Sequence, residues 1–353
     1  MVDKIAYLCS SISWGGLEMN QLKNAIRMQQ RGHEVALFAL SNSPIHKEAV
    51  EHQIPFFEIQ KHKKYFDFNA GKRLSKMLTE SGFNHLVIRD NRDMSVSVIA
   101  KRHAKISIKL SYFMEMQLGV SKKGIFHTLR YRYIDLWSCP LNWLSEQVKS
   151  NTRVDPTKIK VIPSGLDFSK LHYEGEQSDA RDVLEIPKDK FVFGLIGRFD
   201  PHKGHLLVLE AFKKGEFKDA VLCFLGEPNR EEASLNYFSE IQSFIDENGL
   251  YDFVYIRPFR KDVEVFYHSV DCCLMASKSE TFGMVTIESL YCETPVIASN
   301  AGGSKELIED GATGLLFESL NSDDLALKMR FMKAHFDDLK KKNLRKHGMK
   351  QFH

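Results

Sequence analysis

Two glutamates stand eight positions apart in Glu280-Thr-Phe-Gly-Met-Val-Thr-Ile-Glu288, directly after an apolar run, Cys272-Cys-Leu-Met-Ala276, that reads as a buried strand. The Thr-Phe-Gly-Met break places Glu280 in a loop and Glu288 a turn or so into a helix. Ionised carboxylates only accept hydrogen bonds, and sugars carry many donors. Two acids at the carboxyl edge of a strand therefore suit a polyhydroxylated, sugar-bearing ligand. Taken singly, each could be one more solvated surface glutamate.

A second chemical segment lies upstream. The strand Phe191-Val-Phe-Gly-Leu-Ile-Gly197 runs into Arg198-Phe-Asp-Pro-His-Lys203-Gly204, and Leu206-Leu-Val-Leu-Glu-Ala-Phe212 follows at helical spacing. A guanidinium grips two phosphate oxygens and an ammonium acts as a point charge, so Arg198 and Lys203 beside a helix N-terminus fit a diphosphate. Isolated basic residues more often end in weak surface ion pairs. No Asp-x-Asp occurs in the chain. A carboxylate pair to hold Mg²⁺ or Mn²⁺ against phosphates is thus not in view, and we expect protein cations in place of a metal.

Together with Ile162-Pro-Ser-Gly-Leu-Asp167 and the run from Ala301-Gly-Gly-Ser-Lys-Glu306 to Phe317, these segments resemble the GT-B retaining glycosyltransferases of family 4, the glycosyl transferases group 1. Four segments in the family's order fall at strand-to-helix junctions, where open α/β sheets place their ligands. Gly302 and Gly303 also read as a plain tight turn.

The resemblance implies an α/β, GT-B chain of two Rossmann-like doubly wound domains facing an interdomain cleft. It implies metal-independent, retaining transfer of a hexose-type sugar from a nucleotide-diphosphate sugar, UDP- or GDP-linked, to an acceptor hydroxyl, with no cofactor. The acceptor would be a sugar, glycolipid or lipopolysaccharide-type molecule of cell-surface synthesis. Carried over residue by residue, Glu280 and the backbone of Phe282, Gly283 and Met284 hold the donor sugar, and Glu288 holds the ribose hydroxyls. Arg198 and Lys203 hold the diphosphate, with Arg198, Lys203 and Glu280 as the catalytic set. Trp14-Gly15-Gly16-Leu17-Glu18 looks like the family's glycine loop, which makes Gly15 and Gly16 donor contacts. Ile256-Arg-Pro-Phe259 stands in the position of the nucleobase contacts. Family members carry a histidine at the end of the strand that here reads Ile106-Ser-Ile-Lys-Leu-Ser-Tyr112-Phe-Met-Glu115, and none stands there. Tyr112 and Glu115 are the candidates for contact with the sugar or the acceptor hydroxyl, while Tyr112 also reads as a half-buried aromatic and Glu115 as a loop acid. The missing histidine keeps two alternatives open: a nucleotide-binding scaffold without transfer activity, and a GT-B nucleotide-sugar epimerase.

Length and composition agree. At 353 residues, with 43% hydrophobic and 27% charged, the chain suits two soluble domains rather than a disordered or fibrous polymer. Strands at Lys4 to Cys9, Glu34 to Ala39, His85 to Arg89, Ile106 to Leu110 and Leu136 to Cys139 alternate with helices such as Met19 to Gln30 and Met94 to Ala104, which means a parallel sheet. After Val161-Ile-Pro163 the pattern restarts at Phe191, continues through Ala220 to Leu225, Phe253 to Ile256, Cys272 to Met275 and Pro295 to Ala298, and ends in helix. We expect an acceptor-side domain over 1–165, a linker over 166–190 and a nucleotide-sugar domain over 191–353, stopping about where the family adds a helix that crosses back. No apolar run approaches the ~18 residues of a membrane span and the amino end lacks a signal-peptide core, so a cytoplasmic protein is expected. The six cysteines lack metal-ligand spacing and read as reduced core thiols.

Charge divides unevenly: residues 1–162 hold 25 Lys and Arg against 14 Asp and Glu, a net of +11, in a chain whose total is +3. Lys61 to Lys64, Lys101-Arg102, Lys122-Lys123 and Arg130 to Arg132 supply much of it, interleaved with Phe126, Leu129, Tyr131, Tyr133 and Trp137. Such a face suits an anionic membrane surface or an anionic acceptor, or is simply solvated. No nucleic-acid motif accompanies it, and no nucleic-acid partner is expected.

Overall fold

The computed structural model describes residues 3–229, 231–340 and 344–345. The chain divides into two compact units, Met1–Ser164 and Gly165–His353.

The first unit holds a seven-stranded sheet of β1 (Lys4–Cys9), β2 (Glu34–Leu40), β3 (Phe56–Ile59), β4 (His85–Ile88), β5 (Lys109–Phe113), β6 (Leu136–Cys139) and β7 (Ile159–Val161), in the order β3-β2-β1-β4-β5-β6-β7. The second holds β8 (Phe191–Ile196), β9 (Ala220–Leu225), β10 (Val254–Arg257), β11 (Cys272–Met275), β12 (Val296–Ser299) and β13 (Gly314–Phe317), in the order β10-β9-β8-β11-β12-β13. Neighbouring strands in both sheets pair in parallel. This is the doubly wound pattern, fixed by right-handed crossovers that bury both faces of each sheet.

Period-two alternation explains the cores. In β9, Ala220, Leu222 and Phe224 enter one cluster while Val221, Cys223 and Leu225 enter another on the opposite face. β1 divides in the same way, with Ala6 and Leu8 on one side and Ile5, Tyr7 and Cys9 on the other. All six cysteines are buried and free of disulfides.

The order of strands matters most for function. From β1 and β4, and from β8 and β11, the chain leaves adjacent strands in opposite directions, which opens a crevice at their carboxyl ends. The loops there are 10–15 and 89–93 in the first unit, and 197–204 and 276–283 in the second.

Several expectations need correction. The 166–190 segment is not a free linker: Leu171, Ala180, Leu184 and Ile186 are buried in the second unit's core, and Arg181 pairs with Asp271 at 2.8 Å. Its charges misled, because Arg181 is a buried anchor that also donates to the carbonyls of Ser269 and Lys188. β5 begins three residues later than expected, since its register is set by pairing with β4, Lys109 opposite His85. β3 and β13 were not expected as strands, each being only four residues long. The expected stop before a final crossover helix falls largely on 341–353, where only 344–345 are among the described residues. No helix among the described residues is long and apolar enough to cross a membrane.

Candidate active site

In the second unit, the turn after β8 and the loop after β11 are built against each other. Asp200 starts the turn by accepting from the His202 amide at 2.8 Å, with Pro201 at the first helical position. Gly204 ends it at φ 78° and begins the helix His205–Gly215. A Cβ on Gly204 would lie 2.4 Å from the Ala276 carbonyl oxygen, so glycine is required both by conformation and by space. One backbone bond, Lys278 amide to His202 carbonyl at 3.1 Å, ties the two loops directly.

That junction brings Lys203 to Glu280: the ammonium donates to Oε1 at 2.7 Å. Ser277 donates to the same oxygen at 2.7 Å. The Glu280 backbone is held by the Gly302–Gly303 turn, which bridges to it and sends the Gly303 amide to its carbonyl at 2.8 Å. Gly302, at φ 63°, could not carry a Cβ, which would stand 2.2 Å from the Glu280 carbonyl. These two glycines therefore form the turn on which the acid's backbone rests.

Gly283, at φ 83°, turns the loop into the helix Met284–Tyr291. Phe282 is buried, so its side chain belongs to the packing. Glu288 stands in the helix, where the Tyr267 phenol donates to Oε2 at 2.6 Å. Tyr267 is fully buried, and burial, with the Glu288 charge beside it, pushes its pKa well above the ordinary phenol value. Arg198 is exposed at the end of β8 and forms no ion pair with any described residue. Phe259, in the nucleobase-position loop, is exposed.

His205 lies under the turn, packed on Phe199 and edge-on to Phe224. Both its ring nitrogens are buried without a partner, and burial, with the nearby Lys203 charge, lowers its pKa to about 3. It is a neutral packing residue.

In the first unit, Gly15 and Gly16 begin the helix Gly16–Gln30 after β1, and the Gly15 amide donates to Glu18 Oε2 at 3.0 Å. No close contact inside the unit forces glycine at either position. Glu115, just past β5, accepts from Arg89 on β4's end, from Asn20 at 3.2 Å and from Ser164 at 3.3 Å. Tyr112 is corrected. It is the third buried member of the alternating row Ile108, Leu110, Tyr112, 4% exposed and edge-on to Trp137 at 4.9 Å. Its hydroxyl lies in the core rather than at the sheet's carboxyl edge, and Glu115 is left as the candidate there.

Sequence reasoning missed Ser277, Tyr267, Arg89 and Asn20. Ser277 was findable, three residues before Glu280 in the same loop. The other three reach their acids from distant elements, and local spacing carries no signal for that. It also missed a buried cluster at the first unit's crevice: Asp93, fully buried, accepts from the Ser10 amide and hydroxyl and pairs with His62 Nε2 at 3.0 Å. Burial opposes protonation of His62, but the hydrogen bond and charge of Asp93 outweigh it and raise the pKa.

Residues 176–350 match the family model "Glycosyl transferases group 1" and residues 14–170 match "Glycosyltransferase Family 4". A D-inositol 3-phosphate glycosyltransferase of Mycobacterium sp. (strain JLS) is 25% identical over 344 residues, 88% of this chain and 76% of the relative. A glycosyltransferase from Rickettsia africae superposes with a TM-score of 0.88 at 21% identity, covering 99% of this chain and 94% of that one. Anabaena HepE, solved in complex with UDP, superposes with a TM-score of 0.87 at 20% identity, covering 99% and 95%. The two family models leave only 171–175 unmatched between residues 14 and 350, and the chain belongs to the GT-B glycosyltransferases of family 4.

Proposed function

We propose that the chain transfers a hexose-type sugar from a UDP- or GDP-sugar to an acceptor hydroxyl, with retention and without a metal. The observation that carries this reading is the contact between Lys203 and Glu280, which joins the phosphate-type turn to the sugar-type acid in one unit. As the bond from the anomeric carbon to the diphosphate oxygen breaks and the bond to the acceptor oxygen forms, negative charge grows on the leaving phosphate, and the acceptor's hydroxyl proton passes to a departing phosphate oxygen. Arg198 and Lys203 are the cations placed to meet it, and fixed charges of this kind are often the largest catalytic contribution. Glu280 accepts from hydroxyls of the donor sugar and Glu288 from the ribose hydroxyls, while the backbone amides of Phe282, Gly283 and Met284 donate to the donor sugar. In the first unit, this reading gives Gly15 and Gly16 as donor contacts and Glu115 as a contact to the sugar or the acceptor hydroxyl.

The acceptor in this reading is a sugar, glycolipid or lipopolysaccharide-type hydroxyl, and the enzyme works at the cytoplasmic face of a membrane. Support comes from the positive charge of the first 162 residues and from the relative whose named acceptor carries a phosphate.

Purified protein is supplied with UDP-, GDP- and ADP-sugars, with and without chelator, and nucleotide release, epimer and transfer product are followed. Chelator-insensitive transfer with the donor's anomeric configuration kept is the expected result. Epimer formation alone, or binding without turnover in every acceptor mixture, would overturn it.

A further inference from the structure

The first unit carries an exposed feature that donor chemistry does not use. The segment 61–68 after β3 and the helix Ile125–Tyr131 meet through their rings. Tyr65 stands edge-on to Phe126 at 5.6 Å between centroids, and Phe66 lies against Phe126 at 4.8 Å. Arg130 pins this junction from inside. It is 5% exposed, its guanidinium lies 5.2 Å from the Tyr65 ring and 5.6 Å from the Phe126 ring, and it donates to Ser95 at 3.1 Å. The basic and aromatic residues read from sequence as one face therefore separate. Arg130, Tyr131 and Trp137 are interior, and Lys101 is engaged by Asp135.

What remains outside is apolar and cationic. Ile125 is 78% exposed, Phe66 64% and Leu129 51%. Ile125 and Leu129 are one helical turn apart, so they share a face. Lys61, Lys63, Lys64 and Lys123 are exposed, and the Lys64 ammonium stands 5.6 Å from the centre of the Tyr65 ring, in the same aromatic cluster. Phe66 is held at φ 56°, a left-handed conformation that a bulky residue keeps only where its surroundings enforce it. Its ring rests on Phe126 and turns most of its surface to solvent.

We propose that Phe66, Ile125 and Leu129, ringed by the lysines of 61–64 and 122–123, insert into the head-group layer of an anionic bilayer. The inference deepens the acceptor side of the proposed function, since a lipid-linked acceptor is presented at such a surface. Charge complementarity selects the occupant. The exposed cations nearest Phe66 and Ile125 are lysines, compact point charges suited to a diffuse anionic surface, whereas forked recognition of a phosphopeptide or carboxylate calls for arginine; Arg130 is engaged internally and Arg132 lies over the Tyr133 ring at 5.8 Å. The apolar tips need a hydrocarbon phase, which a free anionic sugar does not offer.

The test is co-sedimentation of the full chain with vesicles of phosphatidylglycerol in phosphatidylcholine and with vesicles of phosphatidylcholine alone. Binding to the first and not the second is expected. Phe66→Asn, which tolerates the left-handed conformation, and Leu129→Ser should each weaken partition about tenfold. Lys64→Gln should weaken it about fivefold and reduce its salt dependence. Fluorescence of Ile125→Trp should shift to the blue and be quenched by brominated lipid. Equal binding to neutral vesicles, unaltered partition of Phe66→Asn and Leu129→Ser, or an unquenched Ile125→Trp would each overturn the proposal, as would capture by acidic protein with no vesicle binding. Titration with UDP and with GDP, without vesicles, separates the two readings. Nucleotide binding without vesicle binding sinks only the docking face, and vesicle binding without nucleotide binding sinks only the transferase.

Discussion

Lys203 and Glu280, 77 positions apart in the chain, are joined by a 2.7 Å ion pair across the loops that leave β8 and β11. If Lys203 meets phosphate and Glu280 meets sugar hydroxyls, as proposed, donor binding has to share or break that pair. The two side chains should then act as a unit. Lys203→Met and Glu280→Gln are each expected to lower turnover by roughly 10²- to 10³-fold, and the double variant by less than the product of the two. Both side chains are partly exposed, so thermal stability should change by less than about 1 kcal/mol. Additive losses in single-turnover rate would show that the two groups serve separate purposes.

Glu288 is tied to a buried phenol, and its substitution should have two consequences. Glu288→Ala leaves the Tyr267 hydroxyl unpaired in the core, costing about 1–3 kcal/mol in stability, and should weaken nucleoside diphosphate binding about tenfold or more. Tyr267→Phe removes the donor without orphaning it and should retain most of the affinity. Calorimetric titration with UDP and GDP, paired with urea unfolding, checks both. Unaltered affinity in Glu288→Ala would remove its ribose role.

Gly204 offers a comparison with Gly32. Both have positive φ, 78° and 86°, but only Gly204 faces backbone that a methyl would strike. Gly32→Ala should cost on the order of 1 kcal/mol from conformation alone and leave turnover intact. Gly204→Ala should cost more than that and also displace the Lys203 turn, with turnover lost out of proportion to stability. Similar effects of the two substitutions on kcat would show that the position of this turn is not critical.

The two buried histidines should report in adjoining pH ranges with opposite sense. His62 has its pKa raised above 6.5 by Asp93, so its contribution to stability is complete below about pH 6.5 and is lost as pH rises through the folded value. His205 is held down to about 3, so the unfolded chain takes up a proton below about pH 6.5 that the folded chain refuses. Stability then falls on acidification by up to about 1.4 kcal/mol per pH unit until the folded value is reached. His62→Gln should flatten the alkaline side of the urea-midpoint profile and His205→Phe the acid side. A single variant that flattens both sides would contradict the assignment.

Much of this arrangement was legible because it is local. Strand β9 and strand β11 announce themselves as short apolar runs, and Gly204 and Gly283 punctuate the chain where a left-handed residue is needed. The placement of Glu280 in a loop and Glu288 in a helix followed from the Gly283 break. What failed did so through pairings that no spacing encodes. Arg181 looked like one charge among many in a polar stretch until Asp271, 90 positions away, was seen to bury it. Tyr112 looked like a strand-end residue because β5 was begun three positions early, and register, set by the neighbouring strand, moved it inside.

The six interior thiols give the protein an intrinsic clock. Burial pushes Cys9, Cys139, Cys223, Cys273 and Cys292 up to about 12 and Cys272 higher still, so almost no nucleophilic sulfur exists at neutral pH while the sheets are intact. Two of these groups belong to the first unit and four to the second. Alkylation followed by peptide mass mapping would therefore time the breathing of each half separately, on the native chain and without an added dye.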